Sequence, residues 1–230
     1  MKRIISKWVC GLITLIVTSM GITAENEVLF NSPEPGTVSK QQGLKSWQRI
    51  YEVASHPRCA NCHVGKSDRP MWSGPSFTKT QVHGMNIRAG NSRIGAETLL
   101  CSTCHMDQNS KNLGGAPGVA DIWKLAPVDA DWFGQTSDFI CQQLRDPQRN
   151  GNRSYLELAQ HLDHDVILHW AWAPGGNREP APRSLQDHID DILAWGVAGM
   201  PCPSDNNDDD DQTKDQTIDQ AIDQAITVTE

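Results

Sequence analysis

The sequence has little of what favours nucleic-acid binding, a membrane span or a sheet-rich fold. Its 20 Lys and Arg stand against 28 Asp and Glu, so the basic surface that nucleic acids require is lacking. The longest apolar run, residues 8–20, is too short to cross a bilayer as a stable helix. Strand signals are few along the 230 residues. We therefore expect a mainly α protein with long irregular loops.

The N-terminus has the pattern of a signal peptide. Three basic residues lie within the first seven positions, the short apolar run follows, and small residues come next. We expect cleavage to remove residues 1–24. The chain would then be exported to the periplasm of a Gram-negative bacterium, with no stable membrane insertion afterwards. An uncleaved signal anchor is the alternative. Residues 25–44 would then be a linker to a single domain at residues 45–204.

The C-terminal segment 205–230 differs in composition from the rest. It holds nine acidic residues against one Lys and repeats a four-residue unit. Such a segment cannot bury enough apolar surface to offset the entropy of ordering it, which predicts a disordered acidic tail. A helical stripe through Ile218, Ile222 and Ile226 is the alternative.

Four cysteines form two copies of one pattern. These are Cys59-Ala-Asn-Cys62-His63 and Cys101-Ser-Thr-Cys104-His105. Two thiols three positions apart can reach both vinyl groups of one heme as thioethers, and the adjacent His then becomes the proximal iron ligand. The motifs predict two covalently bound heme c groups. Because only 42 positions separate Cys59 from Cys101 (101 − 59), both hemes should share one core.

Two other interpretations of the paired cysteines fit less well. A zinc site takes thiolates, but it gives no reason for a His after each pair. A redox-active disulfide is expected as one pair on a βαβ unit, not two pairs in a Pro- and Gly-rich stretch. Cys10 is lost with the predicted signal peptide, so Cys141 and Cys202 remain after the motifs, and an even remainder in an oxidising compartment predicts one disulfide.

The distal iron ligands are less defined by the sequence. His83 lies between the motifs and is the first candidate, with Met85 as its competitor. For the other iron, His161 lies beside two Leu residues of a predicted helix, so we expect it to face inward. Other ligands remain open: His56, His164, His169, Met71, Met106 and Met200.

Local signals also predict individual helices. A first helix carries Trp47 and Ile50 and should be stopped by Pro57. Another covers about 138–145, and two more begin at capping boxes, Ser154 with Glu157 and Ser184 with Asp187. Residues 64–98 are too rich in Gly and Pro for helix over most of their length.

Several stretches resemble a family of bacterial heme proteins often labelled an isoquinoline 1-oxidoreductase subunit. They are Ser55-His56-Pro57-Arg58, residues 83–90, residues 141–151, residues 170–175 and the closing residues 199–203. The resemblance covers about residues 45–203. It implies a small multiheme cytochrome c-like domain organised around two hemes, and it favours His83 and the His161 region as ligands. It also implies electron transfer to or from a periplasmic molybdenum hydroxylase.

We therefore expect an electron-transfer protein more than an enzyme, with no catalytic residues of its own and with redox proteins as partners, another cytochrome among them. The alternative is a diheme peroxidase or oxidase, or a gas-binding heme protein, in which one iron keeps an open position. A further alternative is the small diheme subunit of periplasmic nitrate reductase, which has a similar motif gap. The Trp-rich C-terminal half does not resemble that subunit.

Overall fold

The computed structural model describes residues 28–74, 79–111, 115–119 and 123–205. The predicted signal peptide and residues 206–230 of the predicted tail lie outside the described residues. Within the described part the chain is mainly helical, as expected. Its α-helices are α1 (Lys40–Ala54), α2 (Pro57–Ala60), α3 (Ser137–Arg145), α4 (Tyr155–His164), α5 (Val166–Trp172) and α6 (Leu185–Val197).

Strand structure in the described part is limited to one short antiparallel pair. β1 (Met71–Trp72) pairs with β2 (Gln81–Val82), with Met71 opposite Val82. The rest of the segment between α2 and α3 is loop, with 3-10 turns at Gly84–Asn86 and Cys101–Thr103. No helix among the described residues is long and apolar enough to span a membrane.

Side-chain caps explain where the helices begin. Ser154 with Glu157 and Ser184 with Asp187 form the two capping boxes that the sequence predicted, at the starts of α4 and α6. A third box, Ser39 with Gln42, starts α1 inside the segment expected to be a linker. Pro57 does not stop α1, which already ends at Ala54; it is the first residue of α2, a position that tolerates its missing N–H.

The main hydrophobic core lies between α1, α3, α4 and α6. Trp47, Ile140, Ile189, Leu193 and Trp195 are fully buried there. Gly43 of α1 lies against α6, where a Cβ would collide with Ala198, so glycine permits this close approach of the two helices. Arg49 of α1 also donates to both carboxylate oxygens of buried Asp191 on α6, at 2.9 Å from its Nε.

A disulfide ties this core to the end of the domain. Cys141 on α3 is bonded to Cys202, which follows α6, and both residues are fully buried. The loop region with the two cysteine motifs has its own smaller core of Val64, Ala89 and Leu125, against which Cys62 and Met71 pack. The motifs therefore lie in a part of the chain that buries few large apolar side chains of its own.

Candidate functional site

The first cysteine motif begins on α2. His56 caps this helix by accepting the Arg58 N–H on its Nδ1 at 3.2 Å, and the His63 N–H donates to the carbonyl of Cys59 at 3.3 Å. One helical turn thus brings Cys59, Cys62 and His63 together. Both thiols are free, and burial raises the pKa of Cys59 to about 12 and that of Cys62 to about 11.

The ring of His63 is fixed by two neighbours. Its Nδ1 lies 3.2 Å from the carbonyl oxygen of Ala130, and because a carbonyl only accepts, Nδ1 carries the proton and Nε2 keeps its lone pair. The indole of Trp132 stacks on the imidazole at 3.5 Å between centroids, with 10° between the planes. Burial lowers the pKa of His63 to about 3, so the ring is neutral at pH 7.

The second motif repeats this arrangement with different residues. The His105 N–H donates to the carbonyl of Cys101 at 2.9 Å, across the 3-10 turn. His105 Nδ1 donates to the carbonyl of Pro117 at 2.8 Å, and Trp123 stacks on the ring at 4.7 Å and 9°. Burial lowers the pKa of His105 to about 4. Each motif His thus has a protonated Nδ1, an available Nε2 and a parallel Trp.

The structure brings His83 close to His105. Their ring centroids lie 6.1 Å apart, with 50° between the planes. His83 Nδ1 lies 3.0 Å from the carbonyl of Gly84, which again leaves Nε2 available. Met85, the competing candidate, points elsewhere: its side chain is 81% exposed and its backbone is left-handed, with a φ of 61°.

His161 was expected to face inward, and the structure agrees only in part. Its neighbour Leu158 is buried in the core, whereas His161 is exposed on α4, although partial burial still lowers the pKa of its ring. A positive charge on His161 lowers the pKa of His63, after the larger effect of burial, so the two rings lie within electrostatic reach of each other. His105 thus has a second imidazole, His83, at 6.1 Å, and His63 has His161 within electrostatic reach.

The remaining candidates have other contacts. His56 is the helix cap already described, His164 Nδ1 donates to the carbonyl of Gln160 at 2.7 Å, and His169 Nε2 donates to that of Asp163 at 2.5 Å. Among the methionines, Met71 packs in the small core, Met200 packs against the main core, and Met106 is 63% exposed.

Backbone hydrogen bonds from two other segments, 93–94 and 125–126, link the two motifs. The Ala126 N–H donates to the carbonyl of Cys62 at 3.2 Å, and the Leu125 N–H donates to that of Arg93 at 2.9 Å. One residue further, Ile94 accepts the N–H of Cys101 at 3.0 Å. These two segments thus connect the two attachment turns.

Sequence reasoning missed two buried polar residues. Arg93 is 9% exposed and lies between the motifs. His188 on α6 is 5% exposed, lies 5.6 Å from the Trp172 ring, and has no hydrogen-bond partner for Nδ1 in the described chain. A signal for His188 was present, since it lies three residues after Leu185 and four before Ile192 on the apolar face of its helix. No comparable signal marks Arg93.

The described part of the chain contains no group of three or more His, Cys, Asp or Glu side chains arranged to hold a metal ion. A zinc site built from cysteines alone would need the four thiols of the two motifs to surround one metal ion. Comparison with known proteins adds no assignment: no family model, no curated protein and no solved structure matches this chain.

Proposed function

We propose that this chain is an exported diheme c-type cytochrome that carries single electrons. The observation that carries the proposal is the duplicated unit of two free thiols and one His whose Nδ1 donates to a backbone carbonyl. A hydrogen bond from the second ring nitrogen fixes the tautomer and orientation of a metal-bound His and raises its basicity. Both His63 and His105 have that bond, and both keep Nε2 for iron.

The distance between the imidazole rings of His83 and His105 supports their assignment as the two ligands of one iron. A ring nitrogen binds a metal at about 2 Å, and the ring centroid lies about 1 Å behind it, so two imidazoles on opposite sides of one iron have centroids roughly 6 Å apart. The 6.1 Å between His83 and His105 agrees with this value. His161, whose charge lowers the pKa of His63, is proposed as the second ligand on the iron of His63. Two imidazoles on each iron favour a lower-potential carrier than a His and Met pair.

Several side chains would shape the heme environment. Trp132 and Trp123 hold the proximal rings in one orientation by stacking and exclude water from that side. Leu99, Leu100 and Met106, which flank the second motif, are 40%, 47% and 63% exposed and offer apolar surface for a macrocycle to cover. When bound, heme c supplies a one-electron iron couple. No other catalytic group is needed for this role.

The partner follows from the resemblance of residues 45–203 to the family labelled an isoquinoline 1-oxidoreductase subunit. We propose a periplasmic molybdenum hydroxylase as the electron donor or acceptor. Loss of the three basic residues of the signal peptide would change the net charge from -8 to -11 (-8 - 3), so electrostatic docking would need a partner with a positive surface. Copurification of the exported chain with a molybdenum-containing subunit tests this part separately.

The central test is to count covalent hemes. The full chain is expressed with a c-type maturation system, and the purified product is analysed by intact mass and by the pyridine hemochrome spectrum. We expect two hemes in the natural chain and one when Cys101 and Cys104 are both replaced by Ala. A product without covalent heme, despite an active maturation system, would overturn the proposal. Stoichiometric carbon monoxide binding to the reduced protein would instead favour an enzyme or a gas-binding protein.

A further inference from the structure

The side chain of Asn109 joins three segments of the chain beside the second motif. Its Oδ1 accepts the N–H of Gly118 at 3.2 Å and the indole N–H of Trp170 at 3.1 Å. Its Nδ2 donates to the carbonyl of Pro174 at 2.8 Å. Both ends of this amide are therefore bonded, and its position is fixed by contacts that are distant in sequence.

The bond to Gly118 acts on the peptide group that holds His105. The N–H of Gly118 and the carbonyl of Pro117 belong to the same peptide group, and this carbonyl accepts the Nδ1 proton of His105 at 2.8 Å. A continuous chain of hydrogen bonds thus runs from the imidazole through the peptide to Asn109 Oδ1. Hydrogen bonds in such chains polarise one another, and each strengthens the next by roughly 10–30%.

Close backbone packing brings Asn109 within reach of this peptide. A Cβ at Gly118 would lie 2.3 Å from the carbonyl oxygens of both Met106 and Gln108, so only glycine permits the approach. The segment that follows the motif therefore lies directly against the peptide that holds His105.

Asn109 also supports the indole that stacks on His105. Trp170, which donates to Asn109, is 9% exposed and meets Trp123 edge to face, with 5.4 Å between centroids and 84° between the planes. Trp123 is the indole that lies parallel to the His105 ring. One side chain thus acts on the acceptor of the imidazole proton and, through Trp170, on the stacked ring.

The first motif lacks this arrangement. His63 Nδ1 lies 3.2 Å from the carbonyl of Ala130, compared with 2.8 Å for the bond of His105. The N–H of the same peptide group, that of Asp131, has no side-chain acceptor among the described residues. The two proximal imidazoles therefore differ in the strength of the acceptor at Nδ1.

We propose that Asn109 polarises the peptide that holds His105 and thereby lowers the reduction potential of the heme in the second motif. The inference rests on the proposed function, because it requires that heme. A stronger hydrogen bond at Nδ1 makes the imidazole more basic at Nε2, and a more basic ligand stabilises the oxidised iron. Asn109 is thus a positioning residue, and its effect is confined to one of the two hemes.

The test compares Asn109→Ala and Asn109→Asp with the control Gln108→Glu by spectroscopic redox titration of the diheme protein. Asn109→Ala removes the acceptor, so we expect the reduction equilibrium constant of one heme to rise about threefold, or roughly 28 mV for one electron. Asn109→Asp also loses the bond to Pro174 but has a stronger acceptor, so we expect a shift in the opposite direction. Gln108→Glu adds the same charge at an exposed neighbouring residue and should shift the potential less.

Hydrogen exchange of the Gly118 amide provides a second readout that does not depend on the potential. It is measured by NMR in the reduced, diamagnetic protein. We expect this amide to be protected in the natural protein and in Asn109→Asp, and to exchange about tenfold faster in Asn109→Ala. If Asn109→Ala does not accumulate, the potentials and the exchange rates of the other two proteins decide.

Three outcomes would overturn the inference while leaving the cytochrome assignment intact. Shifts of the same sign in Asn109→Ala and Asn109→Asp would make Asn109 a structural support alone. Equal shifts in Asn109→Asp and Gln108→Glu would assign the effect to charge. An unprotected Gly118 amide in the natural protein would contradict the hydrogen bond itself. Absence of covalent heme from the natural chain would instead reject the proposed function.

Discussion

The ring centroids of His83 and His105 lie 6.1 Å apart, although the two residues belong to different loop turns. The Nδ1 atom of each ring is engaged by a backbone carbonyl, at 3.0 Å for His83 and 2.8 Å for His105. The nitrogens that remain available are therefore Nε2 on both rings. This pairing supports one complete set of axial ligands for the proposed second heme.

Replacing His83 by Ala should leave one iron without its distal ligand. Because only one heme uses His83, we expect about half of the low-spin signal to convert to high-spin in absorption and magnetic circular dichroism spectra. His164→Ala is the control, since that ring is exposed and bonded to its own helix. A fully low-spin His83→Ala protein whose spectrum changes only on Met85→Ala would identify methionine as the ligand.

His161→Ala should produce the same change at the other heme. The exposed ring of His161 lies near His63, and no other described His acts on the pKa of that ring. We expect the effects of His83→Ala and His161→Ala to add, so that the double variant has two high-spin hemes. His169→Ala should stay low-spin. If the double variant resembled either single variant, the two imidazoles would serve the same iron.

Trp132→Phe should destabilise the protein through a buried hydrogen bond. Trp132 Nε1 donates to Gln143 Oε1 at 2.7 Å, and Gln143 is only 1% exposed. Phenylalanine keeps a ring beside His63 but leaves that amide oxygen unsatisfied, at a cost of about 1–3 kcal/mol in the free energy of unfolding. Urea unfolding measures this. Trp72→Phe, at a 44% exposed indole, should cost much less; equal losses would contradict the role of the Gln143 contact.

Loss of the disulfide should lower stability more than any of these changes. The bond between Cys141 and Cys202 closes a loop with a sequence separation of 61 residues, which corresponds to about 4 kcal/mol in the chain-entropy model. Because either single Ala substitution already breaks the bond, each should cost nearly as much as the double substitution in urea unfolding. Losses that simply add in the double variant would indicate two independent side-chain effects instead.

His188 should make stability depend on pH in a defined window. Burial lowers its pKa to about 4 in the folded protein, against 6.5 in the unfolded chain. As the pH falls, His188 therefore takes up a proton in the unfolded state before it does so in the folded state. The contribution of His188 to the free energy of unfolding is complete above pH 6.5 and decreases towards pH 4, by up to about 3 kcal/mol.

Replacing His188 by Leu should remove this part of the pH dependence, measured as the difference in unfolding free energy between about pH 7 and about pH 4.5. His164→Gln, at an exposed ring, should keep the natural slope. An unchanged slope in His188→Leu would show that His188 is not the titrating group.

Much of the local structure could be predicted from the sequence, because helix starts depend on residues within one turn. Ser154 with Glu157 and Ser184 with Asp187 cap helices where expected. The sequence did not predict α5 as a helix separate from α4. Asp165 ends α4 and also caps α5, accepting the Ile167 N–H at 2.9 Å. The inward orientation expected for His161 holds only in part, since its neighbours in sequence do not determine which side of α4 meets the core.

The sequence by itself determined the chemistry that is available: two Cys-x-x-Cys-His turns, an even pair of remaining cysteines and a mainly helical domain. Only the tertiary structure decided which residues meet, namely His83 beside His105, Trp132 on His63, and Arg93 buried between the motifs. The reason is that a motif needs only one turn of backbone, whereas these contacts join positions separated by irregular loops. The path of such loops is fixed by packing and by hydrogen bonds between distant segments, and no local pattern encodes it.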